Sequence, residues 1–201
     1  MNFKDKRGIL PFLQNRDKLI IELGCGQLRK FPDSVMVDRI DSDAVDIICN
    51  LDEGLGFLPD ESVDLIYSSH LLEHLNDLGF FMKEIYRVLK KGGRKIGTVP
   101  HFSNPYYFSD YTHRTPFGLY TFCYFAGETP FRRKVLRYDT TINFRISRMK
   151  INFYSPIKTV NIFRKVHGLI FNSSRCMQEF YEGSLSTFIP AHELSFELEK
   201  V

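Results

Sequence analysis

Tryptophan is absent from these 201 residues and cysteine is sparse: Cys25, Cys49, Cys123 and Cys176 lie far apart, with no Cys-x-x-Cys pair. That spacing argues against a disulfide framework or a cysteine-built zinc site and suits reduced thiols. No apolar run reaches the roughly 18 residues a bilayer span needs, and the charged N-terminus lacks a signal-peptide core. A cytoplasmic protein is expected. Repeats and low-complexity tracts are also missing, and the length suits one domain over residues 1–201 with a substantial core. Net charge is only +3, yet residues 131–178 carry eleven Lys or Arg against one acid, Asp139. A segment this basic is either a solvated face or an attractor for a phosphate-bearing ligand or an anionic membrane surface, which would give weak surface association.

What is present is concentrated near the start. Leu19-Ile20-Ile21-Glu22-Leu23 is an apolar run of strand length that ends in Gly24-Cys25-Gly26. A second apolar stretch, Val35-Met36-Val37, ends at Asp38. Strand, glycine turn, strand and acid is how a doubly wound sheet holds a nucleoside-bearing cofactor. The glycines let backbone approach the ligand, and a carboxylate can accept from two ribose hydroxyls at once. A nicotinamide fingerprint wants a third glycine near position 29, where Arg29 stands. Without it a cradled pyrophosphate is disfavoured, and a cofactor with a ribose but no pyrophosphate, such as S-adenosylmethionine, fits better.

The eight residues 27–34 include Pro32 and are too few for a long crossover helix, so that helix is expected to be shortened or absent. Residues 45–49 and 63–67 read as further strands. After Asn76-Asp77 a helix is expected to bury Phe80, Phe81, Ile85, Val88 and Leu89 and to stop at Gly92-Gly93. A fifth strand follows at once. One or two strands are expected in 133–155, a basic amphipathic helix over 158–172 that packs on the sheet or docks at anionic lipid, and a last strand from 193.

This succession, from Glu22-Leu23-Gly24-Cys25-Gly26 through Ser68-Ser69-His70-Leu71-Leu72-Glu73-His74 to Gly92-Gly93-Arg94, resembles the class I S-adenosylmethionine-dependent methyltransferases over roughly residues 18–102. The short link between the first two strands is similar to that of small enzymes from bacterial glycan-assembly pathways. The resemblance implies a Rossmann-like α/β sheet, mostly parallel with an antiparallel C-terminal strand, in the order 3-2-1-4-5-7-6. It implies that Glu22, Gly24, Cys25, Gly26, Asp38, Asn50, Leu51, Ser68 and His70 surround S-adenosylmethionine. Asp41 rivals Asp38 for the ribose, and Asp52 rivals Asn50 for the adenine. Ser68 would offer its carbonyl to the cofactor's amino group.

Residues 101–131 are aromatic and proline-broken, a loop or cap of the kind that is usually functional. Here His101, His113 and Asp110 are the candidates for proton transfer, and Tyr106, Tyr107, Tyr111 and Arg114 for acceptor binding. The implied activity is O-methylation of a sugar or small phosphate-bearing metabolite in surface-polysaccharide or capsule biosynthesis. Nucleic-acid methylation lacks its Asn/Asp-Pro-Pro-Tyr or paired-cysteine motif; a nicotinamide oxidoreductase lacks its third glycine; a silent binding module sits poorly with intact glycines and Asp38. His70-Leu71-Leu72-Glu73-His74 matches the H-x-x-E-H spacing of zinc peptidases, but no metal is expected, because the pentad follows a strand directly. Glu73 and His74 are instead expected to brace the loop while His70 faces the pocket.

Overall fold

The computed structural model describes residues 2–201. Eight strands form one sheet: β1 (Phe3–Asp5), β2 (Ile20–Leu23), β3 (Val35–Asp38), β4 (Ile47–Cys49), β5 (Val63–Ser69), β6 (Leu89–Pro100), β7 (Phe144–Asn152) and β8 (Glu193–Lys200). Their order is β1-β4-β3-β2-β5-β6-β8-β7. Strands β4, β3, β2, β5 and β6 are parallel, while β1 pairs antiparallel with β4 and β8 antiparallel with both β6 and β7. With β1 set aside this is the expected order 3-2-1-4-5-7-6, and the full order differs from it by that one added strand. Three residues before the first glycine turn, too few to show any period, add an edge strand that sequence patterning does not reveal.

The central strands are apolar on both faces, as parallel strands covered on both sides must be. Ile21, Val35, Val37, Ile47 and Ile66 are all inaccessible to solvent. Helix α1 (Leu78–Val88) is capped by the Asp77 carboxylate, which accepts from Phe80 N at 2.8 Å, and it buries Phe81, Met82, Ile85 and Val88. Phe80 is largely exposed, contrary to expectation. Nor does the helix reach the glycine pair: Leu89 already belongs to β6, and Gly92-Gly93 fall in an irregular stretch where Val63 pairs with Leu89 but Leu65 with Arg94.

A loop replaces the first crossover helix, and Glu22 organises it. The buried Glu22 carboxylate accepts from Lys30 N, Phe31 N and Ser34 Oγ at 2.6–2.9 Å. One acid thus supplies the anchorage that a helix would draw from packing. Residues 144–152 form a single strand, followed by α2 (Lys158–Phe171) and the short α3 (Arg175–Phe180). Helix α2 buries Phe171 but leaves Ile162, Phe163, Val166, Leu169 and Ile170 exposed, Phe163 by 69% and Leu169 by 76%. Phe171 reaches the core, but those five residues do not pack on the sheet as one expectation had it.

Candidate active site

Ligands of open parallel sheets sit beyond the carboxyl ends of the strands. Here β2, β3 and β4 end around a cavity of about 170 Å³ lined by Gly24, Asp38, Asn50 and Leu51, together with Arg39, Cys49, Asp52, Leu71, His74, Leu75 and Thr112. Gly24 has φ +61° and its N–H donates to Val37 O at 2.9 Å, tying the turn after β2 to β3. A Cβ at Gly24 would lie 2.9 Å from Leu71 Cδ1 and 3.2 Å from Leu71 Cβ, so a side chain there would be crowded as well as strained. Gly26 has φ +58° but open space around it; its need for glycine is conformational alone.

The Asp38 carboxylate accepts from Gly26 N at 2.9 Å and from Ile40 N at 3.0 Å, which fixes its orientation and leaves lone pairs on both oxygens. Its rival Asp41 is drawn away by an ion pair with Lys6. Asn50 caps a short 3-10 turn by accepting from Asp52 N, while its amide nitrogen donates to the Glu53 carboxylate. Asp52 is less free, because Asn76 N and Nδ2 each donate to it at 2.8 Å. Leu51, Leu71 and Leu75 supply apolar walls for a flat base.

Other expected cofactor residues stand apart from the cavity. Glu22 is committed to the crossover loop. Cys25 contacts Val37 O, and burial, reinforced by the Asp38 charge, pushes its thiol up to about 12, so it is no nucleophile. Ser68 is buried within β5, opposite Leu23 and Gly97, and its hydroxyl accepts from Lys95 Nζ; the strand's mouth lies beyond it at Ser69 and His70. His70 has φ +51° and places its ring between Glu193, 3.0 Å from Nε2, and Glu73, 3.3 Å from Nδ1. These two carboxylates, Glu193 foremost, raise its pKa to about 9.

In the aromatic segment, His101 is fully buried, with Nδ1 facing Ser103 Oγ at 2.7 Å and Nε2 facing Glu182 at 3.2 Å. Neither nitrogen is open to an acceptor, and the ring does not line the cavity. His113 stands differently. It packs against His74 with ring centroids 4.7 Å apart, and Nδ1 donates to Tyr107 O at 2.8 Å. Asp110 accepts from Thr112 N and Oγ1, and Thr112 Oγ1 meets His74 Nδ1 at 2.9 Å. Tyr106 and Tyr111 are exposed and Tyr107 is buried; Arg114 is exposed, and its backbone N–H donates to Glu73 O. From Phe117 onward the segment fills the core rather than capping it: Phe122 stacks on Phe196 at 4.1 Å. Arg39, Cys49, Leu71, His74, Leu75 and Thr112 line the cavity although the sequence pattern assigned none of them to the site. Thr112's signal was its place between Asp110 and His113.

The residues present suit an adenosyl group: a glycine cradle that a Cβ would crowd, a carboxylate with spare lone pairs, and the polar Asn50 side chain beside apolar walls. The cavity is smaller than the roughly 300–1,000 Å³ that enclose whole ligands, so it matches a part of such a cofactor.

Comparison with known proteins agrees. Residues 26–96, about a third of the chain, match the family described as "Methyltransferase domain". A SAM-dependent methyltransferase from Archaeoglobus fulgidus superposes with a TM-score of 0.56 at 15% identity, covering 96% of this chain and 90% of that one. A phosphoethanolamine N-methyltransferase from Haemonchus contortus, solved with phosphomonomethylethanolamine and S-adenosylhomocysteine, gives 0.51 at 15% identity, covering 91% of this chain and 48% of that one. The [4+2]-cyclase SpnF gives 0.52 at 15% identity, covering 96% and 80%. No curated protein sequence matches. The chain thus carries a stretch that matches a methyltransferase domain and shares the fold of S-adenosylmethionine-dependent methyltransferases, which makes S-adenosylmethionine its expected cofactor.

Proposed function

We propose that the protein transfers the methyl group of S-adenosylmethionine to an oxygen of a sugar or small phosphate-bearing metabolite, as in surface-polysaccharide assembly. The observation that carries the cofactor half is the convergence of Gly24, Asp38, Asn50 and Leu51 on one cavity. When bound, the cofactor supplies an activated methyl on a sulfonium. The chain's part is to align the acceptor with it, which can lower a barrier by about 7–11 kcal/mol in favourable cases. Asp38 holds the ribose, and Asn50 with Leu51 holds the base.

An acceptor hydroxyl must lose a proton. His74 at the cavity wall and His113 beside it are the imidazoles placed for that; His101, sealed in the core, is a structural group. Support for an anionic acceptor comes from the eleven cations of 131–178. The same segment contains α2, whose exposed apolar residues beside Arg164 and Lys165 have the chemistry of a helix that rests on anionic lipid.

Calorimetry with S-adenosylhomocysteine tests the cofactor half. Asp38→Asn keeps the volume but removes the charge of an acceptor for two hydroxyls, each such bond being worth about 1.5–3 kcal/mol. A loss of affinity of at least tenfold is expected with the fold intact. Equal affinity for both proteins would overturn the assignment.

A further inference from the structure

We propose that Glu73, His74 and His113 form a site for a divalent first-row transition cation, of the zinc type, on the rim of the cofactor cavity. One ligand atom from each of the three lies within 4.8 Å of the others. Bonds of about 2.1 Å in tetrahedral geometry would set ligand atoms about 3.4 Å apart, so side-chain rotations that close up to about 1.4 Å complete the set.

Two independent observations point to a cation. First, the Glu73 side chain is fully buried and neither carboxylate oxygen has a hydrogen-bond partner. Its facing charges are His70 Nδ1, 3.3 Å away but shared with Glu193, and the buried Lys95, which interacts with it electrostatically. A buried carboxylate whose one close cationic neighbour is shared with Glu193, and which accepts no well-formed hydrogen bond, is costly, and an ion would satisfy it.

Second, the imidazoles are held in the form that metal ligation requires. Asp110 as a carboxylate can only accept, so the Thr112 hydroxyl donates to it at 2.6 Å and must accept from His74 Nδ1–H at 2.9 Å. The Tyr107 carbonyl also can only accept, so His113 Nδ1 carries its proton as well. In the neutral imidazoles the lone pair therefore lies on Nε2, each ring oriented by a partner on its far side. Asp110 Oδ2, 3.7 Å from His113 Nε2, is the next carboxylate in reach.

Two histidines and one carboxylate leave a fourth position open. The spacing of His70, Glu73 and His74 evokes a metal motif, but folding turns His70 towards Glu193 and brings His113 from the distant aromatic segment in its place. Resting on the methyl-transfer reading, an ion here would hold the acceptor oxygen and lower its pKa, in place of an imidazole base.

The test uses the full-length chain, stripped with a chelator and titrated with Zn²⁺ by calorimetry and with Co²⁺ by visible absorption, without S-adenosylhomocysteine. We expect one ion per chain and d–d bands of low-coordinate Co²⁺. His113→Ala and Glu73→Gln should each weaken binding at least tenfold, with folding checked by circular dichroism. His192→Ala, which lies outside the set, should leave binding unchanged. Should Glu73→Gln fail to fold, His113→Ala decides. No saturable binding by the folded chain, or binding that survives loss of His113, overturns the site. The cofactor assignment stands or falls separately on the S-adenosylhomocysteine titration.

Discussion

Adding one methyl group to Gly24 perturbs the glycine turn in a way that Gly26 controls for. Both residues occupy the left-handed region, at φ +61° and +58°, where an L side chain costs about 1–2 kcal/mol. An alanine also narrows the unfolded ensemble, which returns about 0.4–1 kcal/mol. Gly26→Ala meets nothing within 4 Å and should lose about 0.5–1 kcal/mol. At Gly24 the new Cβ lies 2.9 Å from Leu71 Cδ1 and 3.2 Å from Leu71 Cβ, and the second atom cannot rotate away. Overpacking of this kind costs about 1–3 kcal/mol more. Gly24→Ala should therefore lose about 2–4 kcal/mol, read from urea unfolding at constant m. Leu71→Ala removes Cγ and Cδ1, the latter being the nearest atom, and keeps only the Cβ contact, so a double-mutant cycle between positions 24 and 71 should recover part of the loss, a coupling of about 1 kcal/mol. Equal losses for the two glycine variants, or no coupling with Leu71, would refute the packing account of the turn.

Burial pulls the Lys95 pKa down to about 7, whereas in the unfolded chain it returns to the ordinary lysine range. Between those values the unfolded state binds the extra proton, so the Lys95 contribution to stability should rise from pH 7 towards pH 10 and level off below pH 7, where both states are protonated; Lys95→Met should flatten that slope, and an unchanged slope would exclude Lys95 as its source. His101→Ala should cost about 2–4 kcal/mol, because Glu182 loses its buried partner, yet leave S-adenosylhomocysteine affinity within twofold; a loss of affinity with stability preserved would return His101 to the site. Sedimentation with vesicles of anionic phospholipid should capture the protein at low salt, less so after Phe163→Asp on α2, and not with neutral vesicles. Equal capture of variant and wild type would show that the exposed helix face is not the contact.

Local signals declared themselves in the sequence because each depends on near neighbours. The apolar run before Gly24, the acid ending the second strand and the Asp77 cap are read within a few residues, and each lies where the pattern placed it. The strand at Phe3–Asp5 was not legible, since three exposed or half-exposed residues pair with β4 only once the sheet exists to offer an edge. The end of α1 was misjudged for a related reason: sheet pairing claimed Leu89 before the glycines could act as a cap. Glu22 shows the opposite limit. Its place at a strand end suggested a ligand, but the shortened crossover left a loop whose amides needed an acceptor, and Glu22 met that need.

By itself, then, the sequence determined a cofactor class, because strand, glycine and acid lie close together along the chain and geometry at that range follows from covalent connection. Only the tertiary structure decided which histidines matter. His101 was sealed beside Glu182, 81 residues away, while His113 was brought to His74 across 39 residues of chain. Contacts at such separations depend on how every intervening element packs, and no local pattern encodes that.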